Sequence, residues 1–535
     1  MPAPDLDRFS SRRSTVYGSR GVVATSQPLA AEAGVELLRT GGNAFDAAVA
    51  TAAALNVVEP MSTGLGGDVF ALYRTADGDV GALRSCGGAP AAATLDAVRE
   101  AVGGESDDGA SMPFRGPHTV TVPGTARGWE TTVDELGRLT LAECLAPAVR
   151  YATEGYPVSE VIAAQWDHGE DLFEDDARDA FLFDGHAPDV GQQIRLPALG
   201  RTLERIGEAG ADVVYEGDVG EAIVDAVRSK GGFLSMDDLA AFEPEFVDPV
   251  STTYNGCEVY ELPPNNQGLV ALEALNVASE VGAPEAEGVE RLHLLAEATK
   301  LAFHDGHRYI TDPDHEEMPP LNSRSWARQR ATRIGPEATG DVSFLPRSRA
   351  EDADTVLLCV ADDAGNVVSY INSLFAGFGS GLVAGETGIA LQNRGASFSL
   401  DPDHPNRLAP GKRPFHTLIP GLLDFAPDDA RDDWAAFGVM GGFMQPQGHV
   451  QVVSNLADRD LPVQRALDEP RWRYREDGTL AVEERLPGAT KLARRGHDVR
   501  VLPPGQFGGA QLARNDDGTL SGATEPRKDG TVAPY

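Results

Sequence analysis

The chain has 535 residues, 41% of them hydrophobic, with a formal net charge of −37 and an isoelectric point near 4.6. That length and apolar content allow one large layered unit or several domains, and the acidity argues against nucleic acid or an anionic membrane as a partner. Lysine occurs only at 230, 300, 412, 491 and 528, and the acids are spread along the chain rather than gathered in a tail; this reads as a salt-adapted surface whose self-repulsion is screened at high ionic strength.

Taken in order, Gly21 to Thr25 reads as a first strand. Pro28 to Arg39 follows with helical spacing and stops at Gly41-Gly42, a C-terminal glycine signal. Asn43 caps a second helix over Ala44 to Asn56, with Asp46 in its first turn, and its alanine-rich sequence is that of a buried helix. Ser62 to Asp68 is a glycine-rich turn without the spacing of a phosphate-binding loop, and Val69 to Tyr73 is a strand. Residues 134–250 alternate helical patterns with glycine breaks and read as a helical layer. A helix over 292–311 carries His293 and Glu297 at i, i+4. No second pair stands at matching spacing, so these read as helix-surface charges rather than metal ligands. No metal and no cofactor are expected. Residues 314–354 are polar, arginine-rich and punctuated by proline, as in an exposed connector.

The next stretch reads as a hairpin: Val356 to Ala361, a turn over Asp362 to Asn366, then Val367 to Phe375. It opens with Thr355 behind a polar, acidic run. A threonine there is ordinarily a β-branched strand residue. A cut between Asp354 and Thr355 would instead expose an α-amine able to act as base for the threonine hydroxyl on the same residue. Further on, Trp434 to Gly442 reads as a strand ending in Gly441-Gly442, either a tight turn or a pair of N–H groups presented to an oxyanion. Gln451 to Leu456 starts a helix. The four cysteines, 86, 144, 257 and 359, lack the spacing of a zinc site or a disulfide framework and fit a reducing cytosol. Met1 to Arg20 has no apolar core and no apolar run is long enough to span a bilayer, so a cytoplasmic location is expected.

The order D-T-(x)5-A-D-x-x-G-N-x-V from Asp354, F-G-S-G from Phe378 and P-G-K-R-P from Pro410 resembles the γ-glutamyltranspeptidase family. Smaller matches extend the resemblance over nearly the whole chain, among them G-G-N-A-x-D-A-A-V-A from Gly41, Leu262-Pro263-Pro264 and Phe507-Gly508-Gly509. The resemblance implies an α+β, four-layer αββα sandwich of the N-terminal-nucleophile hydrolase type. It implies a proenzyme that cuts itself into 1–354 and 355–535, giving a heterodimer, with higher oligomers left open. Thr355 would be the nucleophile, Gly441 and Gly442 the oxyanion turn, and Ser373 a second hydroxyl beside the threonine. The substrate would be a small-molecule amide.

Departures from the family pattern fall in the recognition pocket. The family's carboxylate-binding arginine in R-E-x-A-P-A is Cys86 here, and the two serines of R-P-L-S-S are His416 and Thr417. The asparagine after the second hairpin strand is Phe375, and the Gln and Asp of L-N-N-Q-x-x-D are Arg394 and Ser397. A pocket holding Arg394 and no carboxylate is wrong for a glutamyl α-amine. Arg394 and His416 are expected to converge near Thr355 and bind a substrate carboxylate; the competing reading pairs Arg394 with Asp401 and leaves His416 a satisfied loop residue. The pattern resembles a divergent subfamily that includes amidohydrolases of small amides such as oxamate. The expected activity is cleavage or transfer of an acyl group from a γ-glutamyl or related amide through an acyl-threonine. The alternatives are hydrolysis of oxamate- or glutaryl-type amides without transpeptidation, and a non-catalytic binding module on the same fold.

Overall fold

Alternation along one strand, Ala353–Asp362, sets the layers. Val356, Leu358 and Val360 enter one apolar cluster while Leu357, Cys359 and Ala361 enter another, as the two faces of a fully buried strand require. The computed structural model describes residues 13–103, 111–173, 176–340, 342, 353–427, 429 and 431–535. In it, this strand is third in a seven-stranded sheet with the order Thr531–Pro534, Gly21–Thr25, Ala353–Asp362, Val367–Ala376, Asp68–Arg74, Val80–Ser85 and Glu245–Val247. A second seven-stranded sheet has the order Val16–Gly18, Thr519–Thr524, Gly509–Asp516, Asp433–Met440, Gly421–Asp424, Cys257–Glu261 and Val250–Tyr254.

The cluster between the sheets joins Val22, Phe70, Leu357 and Ile371 of the first to Leu422, Ala436 and Ala513 of the second. Helices Pro28–Arg39 and Ala44–Val58 pack on the outer face of the first sheet. Gly268–Glu280, Gly288–Tyr309 and Met444–Ala457 pack on the second. This is the αββα sandwich that the resemblance implied. Every residue of Ala44–Val58 is buried, which its small alanines permit on all sides. Asn43 accepts from the N–H groups of Phe45 and Asp46, and Asp46 accepts from the Asn43 N–H at 2.8 Å, closing a capping box.

Residues 134–250 form the expected helical layer, from Leu141–Glu154 to Met236–Ala240. Other expectations need correction. The helix after Gly441-Gly442 begins at Met444, seven positions earlier than read. Pro446 and Gly448 look like breakers, but Pro446 lies in the first turn, where its missing N–H has no partner to lose. The connector carries a helix, Arg324–Ala331, and the hairpin strand runs through the Asp354–Thr355 bond instead of starting after it. Residues 343–352 of that connector lie outside the described residues. His293 and Glu297 are buried rather than on the helix surface. All four cysteines are free and buried, and no helix among the described residues is long and apolar enough to cross a membrane.

Candidate active site

Pairing between the two hairpin strands is irregular at one place: Asp354 faces Phe375, but Val356 faces Asn372. Thr355 sits at this bulge, a device that re-aims side chains beside active sites. By alternation Thr355 lies on the inter-sheet side with Leu357, and Ser373 lies there with Ile371. Thr355 is buried, with its Oγ1 3.3 Å from Ser373 Oγ. Ser373 Oγ in turn accepts the Phe375 N–H at 2.7 Å. Phe375 has φ +81°, a left-handed conformation costing a side-chain-bearing residue about 1–2 kcal/mol. Its ring lies under the guanidinium of Arg394, 4.4 Å from the ring centre.

The opposing sheet brings Gly441 and Gly442 to the same end of the hairpin. Ser369, paired with Cys359, donates its hydroxyl to the Phe437 carbonyl at 2.8 Å. Gly438 lies against Leu357, where an added Cβ would stand 2.8 Å from Leu357 Cδ2. Moving from Cys359 toward Thr355 therefore moves along the other strand toward Gly441. Gly441 and Gly442 have φ of +116° and +57°, and among the described residues neither N–H donates to a protein acceptor. The turn is held from behind: Gln267 Nε2 donates to the Gly442 carbonyl at 3.0 Å and the Thr417 carbonyl at 2.7 Å.

Thr417 leads to the guanidinium. Arg394 donates one Nη to Thr417 Oγ1 at 2.8 Å, while its Nε and other Nη have no partner among the described residues. It is fully buried, and desolvation lowers it to about 10, so it stays charged at neutral pH. The charge facing it is Asp68, not Asp401, which is exposed and accepts the Asp403 N–H at 2.9 Å. Asp68 corrects the expectation of a pocket without a carboxylate. It lies opposite Ser373 in the sheet and accepts from Gln392 Nε2 at 3.1 Å, the Gly124 N–H at 3.2 Å and His416 Nε2 at 3.0 Å. Burial pushes its carboxyl up to about 7, against the pull of Arg394, Gln392 and the Gly124 N–H.

His416 Nδ1 accepts the Leu418 N–H at 3.2 Å, so the ring proton is on Nε2, facing Asp68. Burial and the Arg394 charge keep the imidazole neutral. Both ring nitrogens are thus engaged within the protein, and His416 positions Asp68. The run Asn265 to Gln267 braces this loop: Asn265 Nδ2 donates to the Pro414 carbonyl and Asn266 Nδ2 to the Leu418 carbonyl, both at 2.6 Å. Cys86 is buried in the same neighbourhood, taking a long contact of 3.8 Å from Asn265 Nδ2. Burial pushes its thiol up to about 12, so it is neither charged nor a nucleophile. Nearby Arg413 is engaged by Asp312 and Glu245 at 2.9 and 2.8 Å. Sequence reasoning missed Asp68, Gln267 and Gln392. Asp68 was visible only as a charged residue ending a glycine-rich turn.

Two seven-stranded sheets between helical layers make the αββα sandwich of the N-terminal-nucleophile hydrolases. The family model described as "Gamma-glutamyltranspeptidase" matches residues 30–535, and the chain belongs to that family. It is 37% identical to the glutathione hydrolase-like YwrD proenzyme of Bacillus subtilis (strain 168), over 97% of this chain and 99% of the relative. It is 34% identical to the oxamate amidohydrolase proenzyme of Klebsiella pneumoniae, over 98% of this chain and 100% of the relative. Among solved structures, a cephalosporin acylase from Bacillus halodurans superposes with a TM-score of 0.90 at 43% identity, covering 100% of this chain and 99% of that one. The protein is therefore an enzyme of the hydrolase and acyltransferase class, not a bare binding module.

Proposed function

We propose that the protein cuts itself between Asp354 and Thr355 and then uses Thr355 as an acyl acceptor for a small amide. The observation that carries this is the buried Thr355–Ser373 hydroxyl pair, 3.3 Å apart on the inter-sheet face. In the cut, Thr355 Oγ attacks the Asp354 carbonyl carbon, the peptide nitrogen leaves as the new α-amine, and water opens the resulting ester. In turnover, that amine takes the hydroxyl proton, Oγ attacks the substrate amide carbon while the N–H groups of Gly441 and Gly442 hold the oxyanion, and the C–N bond breaks as the amide nitrogen takes that proton and leaves as an amine. Water or an amine then releases the acyl group. A denaturing gel of purified protein should show two fragments, 1–354 and 355–535, which Thr355→Ala merges into one. A single full-length band from active protein would sink the mechanism.

The substrate reading rests on Arg394. A buried guanidinium with two unpartnered nitrogens suits a carboxylate, which it can hold through both. The acyl donor is then a small amide with a free carboxylate, of the γ-glutamyl, oxamate or glutaryl type. Asp68 is already engaged by three donors, so recognition of an α-amine is not what the pocket is built for. Hydrolysis without transpeptidation is the second reading, favoured by this engagement and by the likeness to an oxamate amidohydrolase. Turnover of γ-glutamyl anilide, glutaryl amides and oxamate, compared in high salt with and without an amine acceptor, separates the two.

A further inference from the structure

His293 and Glu297 stand one turn apart on the buried face of Gly288–Tyr309 and meet His497, a residue 204 positions further along the chain from His293. His293 Nδ1 lies 2.9 Å from His497 Nε2, and His497 Nδ1 lies 3.8 Å from Glu297 Oε1. One donor atom from each residue fits within 4.8 Å of the others. The atoms on the far side are fixed by one backbone segment. His293 Nε2 donates to the Gly335 carbonyl, and the Thr339 N–H donates to Glu297 Oε2, each at 2.8 Å. The first bond places the His293 proton on Nε2 and leaves Nδ1 a lone pair; the second turns Oε1 inward. Outer hydrogen bonds of this kind set the tautomer and orientation of metal-ligating side chains.

We propose that His293, Glu297 and His497 form a binding site for a divalent transition-metal ion of the zinc or nickel kind, joining the chain on either side of Thr355. Two imidazoles and a carboxylate suit such ions and not calcium or magnesium, which prefer all-oxygen sets. The opposing cations are Arg495, which is paired with Glu290, and Lys300, whose ammonium is 3.3 Å from Glu297 Oε1. Lys300 also bonds the Thr339 carbonyl and lies 5.6 Å from the centre of the Tyr474 ring, so it keeps two partners when an ion takes Oε1. A bound ion would pin Gly335 to Thr339, the segment shortly before the cut. If the chain is processed as proposed above, it would also tie the tail of the first fragment to the second.

Tag-free, chelator-stripped protein titrated with Zn²⁺, and separately with Ni²⁺, should take up one ion per chain with micromolar or tighter affinity. Its melting temperature should rise with the metal and fall back on adding chelator. Glu297→Gln and His497→Gln should each weaken binding by about tenfold or more, with circular dichroism showing which variant is folded; either one suffices. Substoichiometric uptake, affinity weaker than micromolar, or binding that a folded variant leaves unchanged overturns the site. None of these readouts depends on activity or on self-cleavage.

Discussion

Replacing Arg394 by lysine isolates the contact on which the substrate reading rests. The guanidinium is fully buried, spends one Nη on Thr417, and keeps Nε and the other Nη for a ligand. Lysine retains a positive charge opposite Asp68 but offers a single point donor, so a two-point grip on a carboxylate becomes at best a one-point grip. One hydrogen bond to a charged partner is worth about 1.5–3 kcal/mol. At about 1.4 kcal/mol per decade, KM for a carboxylate-bearing amide should rise roughly 10- to 100-fold, with kcat changed by no more than about threefold. The burial that lowers Arg394 to about 10 would lower a lysine further still, so the deficit should widen as the pH is raised. The assay is steady-state hydrolysis of two amides that differ only in the carboxylate, with a denaturing gel to show that processing is intact. Equal losses on both amides, or an unimpaired variant that turns over γ-glutamyl substrates through their α-amine, would refute the reasoning.

Two further outcomes follow from charge. Burial raises Asp68 to about 7, so below that pH it holds a proton, and above it the carboxylate competes with the substrate for Arg394. For carboxylate-bearing amides kcat/KM should fall as pH rises through about 7, and Asp68→Asn should flatten that limb of the profile. In the unfolded chain the same group ionises near its ordinary value of about 3.9. Its stabilising contribution is therefore complete below that value and is lost as pH climbs to about 7. The net charge of −37 should make the fold salt-dependent: the Debye length shrinks from about 30 Å at 0.01 M to about 3 Å at 1 M. The melting temperature should drop on dialysis from molar to low salt, and an unchanged value would count against a salt-adapted surface.

What could be read from the residues was whatever depends on near neighbours. The helix Pro28–Arg39, the Asn43 cap and the turn at Asp362 to Asn366 are local signals, and the structure has all three. The motif order around Thr355 was long enough to carry the fold. Asp68 escaped because its partners, His416 and Gln392, lie 348 and 324 positions away. The same blindness made His293 and Glu297 look like surface charges, since His497 cannot be inferred from helix spacing. Met444–Ala457 was started late, at Gln451, because its first residues include Pro446 and Gly448, neither of which signals a helix, although Pro446 stands in the first turn, where its missing N–H costs nothing.

The strand order has one more consequence. In the first sheet, Ala353–Asp362 and Val367–Ala376 lie between Gly21–Thr25 on one side and Asp68–Arg74 on the other, while Thr531–Pro534 flanks Gly21–Thr25. In the second, strands from after Thr355 are enclosed by Val16–Gly18 and Cys257–Glu261. The two prospective fragments are thus interdigitated, each supplying the hydrogen-bond partners of the other. Before the cut, assembling these sheets is a unimolecular event whose rate ignores protein concentration. After it, the same sheets can be rebuilt only by collision of two chains, neither of which holds a complete sheet. If the chain is cut as proposed, the architecture stays in place while the unimolecular route back to it is removed, and a denatured sample of processed protein should recover less well on dilution than the intact precursor.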